Sequence, residues 1–280
     1  MAVPYIGRLA PSPTGLLHLG HARTFWIAYE RARAANGTLW LRDEDLDPQR
    51  SRADLAVAMR EDLQWLGITW DAEMRQSKRV DLYRAAMEKL LLDGFVYPCS
   101  CSRKDLQHAT QAPHEDSDDE PVYNGRCRFV AAPNTTLTPN TNYRFRVPDG
   151  EAIRFTDVHA GPQSFVAGCD ASADFGDFLV WRKDGLPSYQ LACVVDDAAM
   201  GITEAVRGRD LLKSTARQIL LQRALGFPTP SYFHADLMCD EAGVRLAKRH
   251  DALSLRAMRD AGLSPQDVRD RFPEQRSPGA

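Results

Sequence analysis

Arg8-Leu-Ala-Pro-Ser-Pro-Thr-Gly-Leu-Leu-His-Leu-Gly-His-Ala-Arg23 decides how the rest of the chain is read. Tyr5 to Ala10 alternates towards an apolar strand, and Pro11, Pro13 and Gly15 then forbid regular structure and force a turn. From Leu19 onwards Ala22, Phe25, Trp26, Ala28 and Tyr29 recur at helical spacing, and Asn36-Gly37 closes the run. The stretch predicts strand, tight turn and helix, with His18 and His21 three residues apart at the helix start. A helix N-terminus carries unpaired N–H groups and the positive end of the dipole, which suits a phosphate. Two histidines that merely cap a core helix are the plainer alternative. Gly15 and Gly20 have P-loop spacing, but His21-Ala22 stand where Lys-Ser/Thr is required, and no G-x-G-x-x-G follows the strand. A zinc pair would want a nearby carboxylate or third histidine, and neither is present.

Length and composition set the bounds around this stretch. The chain has 280 residues, 44% of them hydrophobic, enough for a buried core and one or two domains. A net charge of −3 gives no global basic signature, so any nucleic acid would need a local patch. No signal peptide, long apolar run or lipidation motif is read, so a cytoplasmic protein without membrane contact is expected. Of the six cysteines, Cys99, Cys101 and Cys127 cluster, while Cys169, Cys193 and Cys239 are scattered and read as small core residues.

Along the chain, Thr38 to Arg42 reads as a short strand, followed by the acidic segment Arg42-Asp-Glu-Asp-Leu-Asp-Pro-Gln-Arg50. That segment is either a solvated turn or a ligand loop past a strand end, where open α/β sheets bind their ligands. Ser51 is expected to cap a helix closed by Gly67, and Ser77 to begin another running to Asp93-Gly94. Phe95 to Pro98 is a strand leading into Cys99-Ser-Cys101. Residues Gln111 to Glu120 form a polar, acidic surface loop. The cysteines suggest a zinc site, with His108, His114, Tyr123 or water as the fourth ligand; reduced, unliganded thiols are the alternative. From about 129 to 176 the pattern is β-rich, with strands at Tyr143 to Val147, Ala152 to Thr156 and Gln163 to Val166. Asp149-Gly150 is a turn able to close a hairpin between the first two. Asp177 to Trp181 reads as a buried strand, Pro187 to Asp197 as an apolar run ending in two carboxylates, and Gly201 to Asp210 as a second strand. Leu211 to Gly226 is an amphipathic helix that Asp210 would cap. Arg245-Leu-Ala-Lys-Arg249 is basic, and Ser254 to Ala261 and Ser264 to Phe272 are short helices.

These segments together resemble a known family. His18-Leu19-Gly20-His21 resembles the HIGH signature of class I aminoacyl-tRNA synthetases, and Arg8 to Gly15 resembles the glutamyl branch. Arg42 to Arg50 is similar to that branch's R-x-E-D-T-D-P-x-R, with Leu46 in place of Thr. Asp184 to Asp197 and Ile202 to Gly208 resemble its D-G-x-P-x-Y-x-L-A-x-V-V-D-D and I-T-x-x-x-R-G. Arg245 to Arg249 aligns with the KMSKS loop, with Arg245 for the first lysine and Ala247 for the serine, so that Lys248 is kept. The resemblance implies an α/β, Rossmann-like doubly wound parallel sheet interrupted by a zinc-containing, β-rich insertion. It divides the chain into 1–94 and 177–243 as catalytic halves, 95–176 as the insertion, and 244–280 as the KMSKS-like loop and helical stub. It further implies that Arg8, Ser12, Glu44, Tyr189 and Arg207 bind glutamate, Glu44 taking the amino group and Arg207 the side-chain carboxylate. His18, Gly20, His21 and Lys248 would bind ATP, with His18, His21 and Lys248 catalytic and Mg²⁺ on the nucleotide. Cys99, Cys101, Tyr123 and Cys127 would hold one structural zinc ion. The resemblance spans residues 5 to about 265, without an anticodon-binding part after it. It therefore points to the short glutamyl-Q branch, which activates L-glutamate without tRNA and transfers it to queuosine in the anticodon of tRNA(Asp). A monomer is expected. The competing readings are a conventional synthetase charging a tRNA 3′ end, an inactive RNA-binding paralogue, and a generic nucleotidyltransferase.

Overall fold

The computed structural model describes residues 3–101, 122–123, 125–129, 136–170, 172–238 and 254–273. Its first half runs β1 (Ile6–Leu9), α1 (Leu19–Ala34), β2 (Thr38–Asp43), α2 (Ala53–Trp65), β3 (Ala72–Arg75), α3 (Val80–Leu92), β4 (Val96–Cys99) and β5 (Asn142–Phe145). The second runs β6 (Ala152–Asp157), β7 (Gly161–Val166), β8 (Phe178–Trp181), α4 (Tyr189–Ala199), β9 (Glu204–Gly208), α5 (Leu212–Leu225), β10 (Ser231–Ala235), α6 (Leu255–Asp260) and α7 (Pro265–Arg269).

Strands β1, β2 and β3 pair in parallel, as do β9 and β10. The two groups meet where the Thr203 N–H donates to the Ile6 carbonyl at 2.9 Å and the Ile6 N–H donates to the Thr203 hydroxyl at 2.8 Å. Successive strand residues point to opposite faces. Accordingly Ala205 and Tyr232 enter one core with α3, α4 and α5, while Val206 and Phe233 enter the other with α1, α2, α6 and α7. The parallel sheet is covered by helices on both faces, so that charged strand residues such as Arg8, Arg42, Asp43 and Arg207 are buried along with the apolar ones. The crevice between β1 and β9 is the place where such sheets bind ligands. A separate antiparallel sheet runs β4–β5–β8, and β6 and β7 form a hairpin turning between Asp157 and Gly161. Among the described residues no helix is long and apolar enough to cross a membrane.

Several local expectations are corrected. The apolar run from Pro187, to which the sequence reading gave no element, is a helix: the Ser188 hydroxyl caps it by accepting the Leu191 N–H, and both carboxylates lie on its last turns. Asp149-Gly150 closes no hairpin, because β5 pairs with β4 and β8 while β6 pairs with β7. Helix α2 starts at Ala53 with Arg52 at the cap position and no side-chain cap, and the Ser51 main-chain N–H donates to the Asp47 carbonyl at 2.8 Å. Ser77 lies in a 3₁₀ turn and bonds Asp45, so α3 starts only at Val80. Asp210 does not cap α5, which begins two residues later after a 3₁₀ turn. Strand β3 was not foreseen. Ser264 does form a capping box with Asp267, with Pro at the helix start.

Asp62 on α2 is buried against α6, and neither carboxylate oxygen has a hydrogen bond; the nearest cations are Arg259 at 3.6 Å and Arg256 at 3.9 Å. Burial outweighs these arginines and pushes the carboxyl up to about 6. The folded state then holds the proton more tightly than the unfolded chain, so stability falls as pH rises from about 4 to about 6. Asp62→Asn is expected to raise the melting temperature at pH 7.5 and leave it unchanged at pH 4. Equal shifts in thermal melts at both pH values would refute this account.

Candidate active site

The turn after β1 is fixed by main-chain bonds to the next strand–helix connection. The Pro11 carbonyl accepts the Glu44 N–H at 3.0 Å, and the Pro13 carbonyl accepts the Arg52 N–H at 3.1 Å. His18 caps α1, its Nδ1 accepting the Gly20 N–H at 3.1 Å, and its ring stacks on His21 with centroids 3.7 Å apart. A Cβ on Gly20 would stand 3.1 Å from the His18 ring, which explains a small residue between the two histidines. The C-terminal helices are pinned to the same turn: the Leu255 N–H donates to the Leu17 carbonyl at 2.8 Å, and Ser254 bridges His18.

Beneath the turn lies a buried charge network. Arg42 is fully buried and donates to Asp197 at 2.5 Å and to Glu44 at 3.0 and 3.1 Å. Arg8 donates to the Val206 carbonyl at 2.8 Å and stands 3.5 Å from Asp197. Burial alone would raise the Asp197 carboxyl, but Arg42 and Arg8 outweigh it and hold the group below the usual carboxylate range. Burial does raise Glu44, against the pull of the same two arginines, so an arriving cation would favour its charged form. Tyr189, first residue of α4, is pushed up by burial and presents a neutral phenol.

Arg207 on β9 is held differently. It donates to His234 Nε2 at 3.2 Å, Gln218 Oε1 at 2.7 Å and the Thr215 hydroxyl at 2.6 Å, with its guanidinium 4.9 Å from the centre of the Tyr232 ring. These partners are all neutral, and among the described residues no carboxylate is within ion-pair range of it. Among the described residues, three of its five N–H donors have partners. A buried cation without an anion is costly, so the arrangement is one that an anionic ligand would complete.

Arg8, Ser12, His18, Gly20, His21, Glu44, Tyr189 and Arg207 all line one cleft of about 1110 Å³, part of it open to solvent. The structure thus brings together eight residues that the sequence spreads over 200 positions. Lys248, with Arg245 and Ala247, lies outside the described residues. Thr24, Asp210, Asp236 and Met238 also line the cleft and were not foreseen. Arg42 and Asp197 were visible as motif letters but carried no assigned role. His234 was missed altogether, although a histidine inside the apolar run Ser231–Ala235 was a readable signal.

Away from the cleft, the Sγ atoms of Cys99, Cys101 and Cys127 lie within 4.8 Å of one another. The Tyr123 hydroxyl stands 3.2 Å from Cys101 Sγ and 3.6 Å from Cys99 Sγ. Two thiolates on a tetrahedral ion at ~2.3 Å are ~3.8 Å apart, and the Cys101 and Cys127 sulfurs are separated by 3.6 Å. Against burial, hydrogen bonds from Tyr123 and Ser100 bring the Cys127 thiol down to about 6, whereas burial pushes the neighbouring Cys101 thiol up to about 11. The donor set therefore fits a metal ion. Gly176 keeps this wall close: a Cβ there would meet the Tyr123 main chain at 2.7 Å.

Residues 6–271 match the family model for the catalytic domain of class I tRNA synthetases (E and Q). The chain belongs to this family of ligases. It is 47% identical over 277 residues to a glutamyl-Q tRNA(Asp) synthetase of Symbiobacterium thermophilum, covering 94% of this chain and 83% of that one. A glutamate–tRNA ligase of Aquifex aeolicus is 41% identical, over 92% of this chain and 54% of its own. Among solved structures, a glutamate tRNA ligase from Elizabethkingia meningosepticum, crystallised with its amino acid, superposes with a TM-score of 0.73 at 29% identity, covering 88% of this chain and 52% of that one. The chain thus spans about half the length of these two ligases. Within this synthetase domain, the thiol cluster gives a direct expectation. The purified protein should carry close to one metal ion per chain, and Cys101→Ser should lower that content several-fold, as elemental analysis after exhaustive dialysis would read.

Proposed function

We propose that this chain activates L-glutamate with ATP, without needing tRNA, and transfers the glutamyl group to queuosine in the anticodon of tRNA(Asp). The observation that carries the reading is Arg207, a buried guanidinium on the cleft whose hydrogen-bond partners among the described residues are all neutral. Its planar fork matches a carboxylate bidentately, and a neutral amide would leave the buried charge unpaired. In this reading Arg207 takes the side-chain carboxylate of glutamate. Glu44 takes the ammonium group, and Arg8, Ser12 and Tyr189 complete the pocket. His18, Gly20 and His21, at the start of α1, take the phosphates of ATP, with Lys248 as a further cation and Mg²⁺ arriving on the nucleotide. The relatives named glutamyl-Q tRNA(Asp) synthetase support the choice of branch.

The chemistry needs no covalent enzyme intermediate. An oxygen of the glutamate α-carboxylate attacks the α-phosphorus, a new O–P bond forms, and the bond to pyrophosphate breaks. Alignment and neutralisation of the developing phosphate charge are enough. The modified base then attacks the carbonyl of the adenylate, and AMP leaves. We assign zinc to Cys99, Cys101, Tyr123 and Cys127 as a structural ion, since no acid or base among them faces the cleft. The two halves of the catalytic domain are placed at 1–94 and 177–243, around 95–176.

Glutamate-dependent ATP–pyrophosphate exchange in the absence of tRNA tests the first step. Arg207→Ala is expected to lower kcat/KM for glutamate about 100-fold, the value of one lost charge-assisted pair. Exchange that is insensitive to this substitution, or driven equally by other amino acids, would refute the reading. For the second step, radiolabelled glutamate should be incorporated into queuosine-bearing tRNA(Asp) whose 3′-terminal adenosine has been removed. Incorporation that requires an intact 3′ end would instead mark a conventional charging enzyme.

A further inference from the structure

Asp157 ends β6, where the β6–β7 hairpin meets β10. One of its oxygens accepts the main-chain N–H groups of His159 at 3.0 Å, Ala160 at 2.6 Å and His234 at 3.2 Å. The other lies 2.6 Å from His234 Nδ1. His234 is fully buried, and its Nε2 stands 3.2 Å from Arg207 Nε and 2.9 Å from the Thr215 hydroxyl. The proton positions follow from these partners. A guanidinium nitrogen always donates and never accepts, so Nε2 must be the bare nitrogen. The single ring proton therefore sits on Nδ1 and is donated to Asp157. Protonating Nε2 would bring two N–H groups head to head.

We infer that Asp157 and His234 are a positioning pair that fixes the guanidinium of Arg207, so that the β6–β7 hairpin sets the cleft's selection of an amino acid bearing a side-chain carboxylate. The inference rests on the proposed glutamate reading of Arg207. Its physical content lies in the intervening ring. A carboxylate placed directly on Arg207 would orient the fork but also neutralise it, and would compete with the ligand. An imidazole relays the orientation from a carboxylate one ring away and leaves the cation's charge for the substrate. Burial and the neighbouring arginines also lower the imidazole to about 4, against the pull of Asp157, in keeping with a neutral ring. The same turn grips β10 a second time: His159 stacks on Phe233 with centroids 5.0 Å apart and meets Asp236 at 3.0 Å. His234 is thus held from both sides along its strand.

Three substitutions test the pair in the exchange assay. Gln at 234 can place an amide oxygen where Nε2 stands, whereas Asn is too short, and Asp157→Asn frees the ring to adopt the other tautomer. His234→Asn and Asp157→Asn are expected to raise the KM for glutamate at least tenfold with the KM for ATP unchanged, and to narrow the preference for glutamate over glutamine. His234→Gln should restore most of both. Folded variants with wild-type glutamate KM and wild-type preference would overturn the inference. Should the variants not fold, ¹⁵N spectra of the wild-type ring at pH 7 decide: a protonated Nδ1 with a bare Nε2 supports it, and a protonated Nε2 overturns it. Arg207→Ala, run in parallel, separates the two levels. Loss of glutamate-dependent exchange there, with no effect at 157 or 234, removes only the positioning role. Unchanged exchange in Arg207→Ala removes the glutamate reading and this inference with it.

Discussion

The guanidinium of Arg42 is the tie on which the site depends. It comes from β2, and its partners Glu44 and Asp197 come from the strand end just beyond it and from α4. Arg8 adds β1 to the same group through Asp197. Each of these charges would be expensive to bury alone, and only their mutual neutralisation makes the buried arrangement tolerable. Such a network specifies geometry more than it adds stability. It requires β1, β2 and α4 to be in register before any of the charges can leave water. The cleft floor is rigid for that reason, and Glu44 is presented with one side committed to Arg42 and the other facing the opening.

The cleft is electrically divided. The start of α1 offers main-chain N–H groups and two stacked imidazoles, a polar environment for phosphate. Elsewhere in the cleft Arg207 is a cation with no carboxylate among the described residues in ion-pair range, and Glu44 is a carboxylate paired with Arg42. A zwitterionic ligand with an extra carboxylate and a polyanion can share this space, each meeting its own pole. The division is built from different elements, so the two poles answer to different parts of the chain.

Much of this was legible in the residues. The turn at Pro11 to Gly15 reads directly because proline and glycine act locally, and His18 and His21 follow from helical spacing. The capping box at Ser264 and Asp267 is equally local. What escaped reading depends on distant partners. The run from Pro187 is as apolar as a buried strand; as helix α4 it is capped by Ser188 and shares one core with α3 and α5. Asp149-Gly150 has turn chemistry, but strand pairing across the sheet decides which strands it joins. His234 stands out locally only as a lone histidine in an apolar strand; its meaning comes from Asp157, 77 residues earlier, and Arg207, 27 residues earlier. The thiol cluster lies between these cases, with a readable C-x-C and a third sulfur whose distance only the fold supplies.

The seam between β1 and β9 has a consequence for how the protein is made. Ile6 is joined to Thr203, and Arg8 to Val206, across 197 and 198 residues of chain. At typical elongation rates the first strand leaves the ribosome roughly 10–40 s before its neighbour is synthesised. During that interval an apolar strand edge has no lateral partner, and the cost of closing so long a loop must be met before the seam rewards it. The ligand crevice, sited on that seam, is therefore among the last parts of the molecule to come into being during translation.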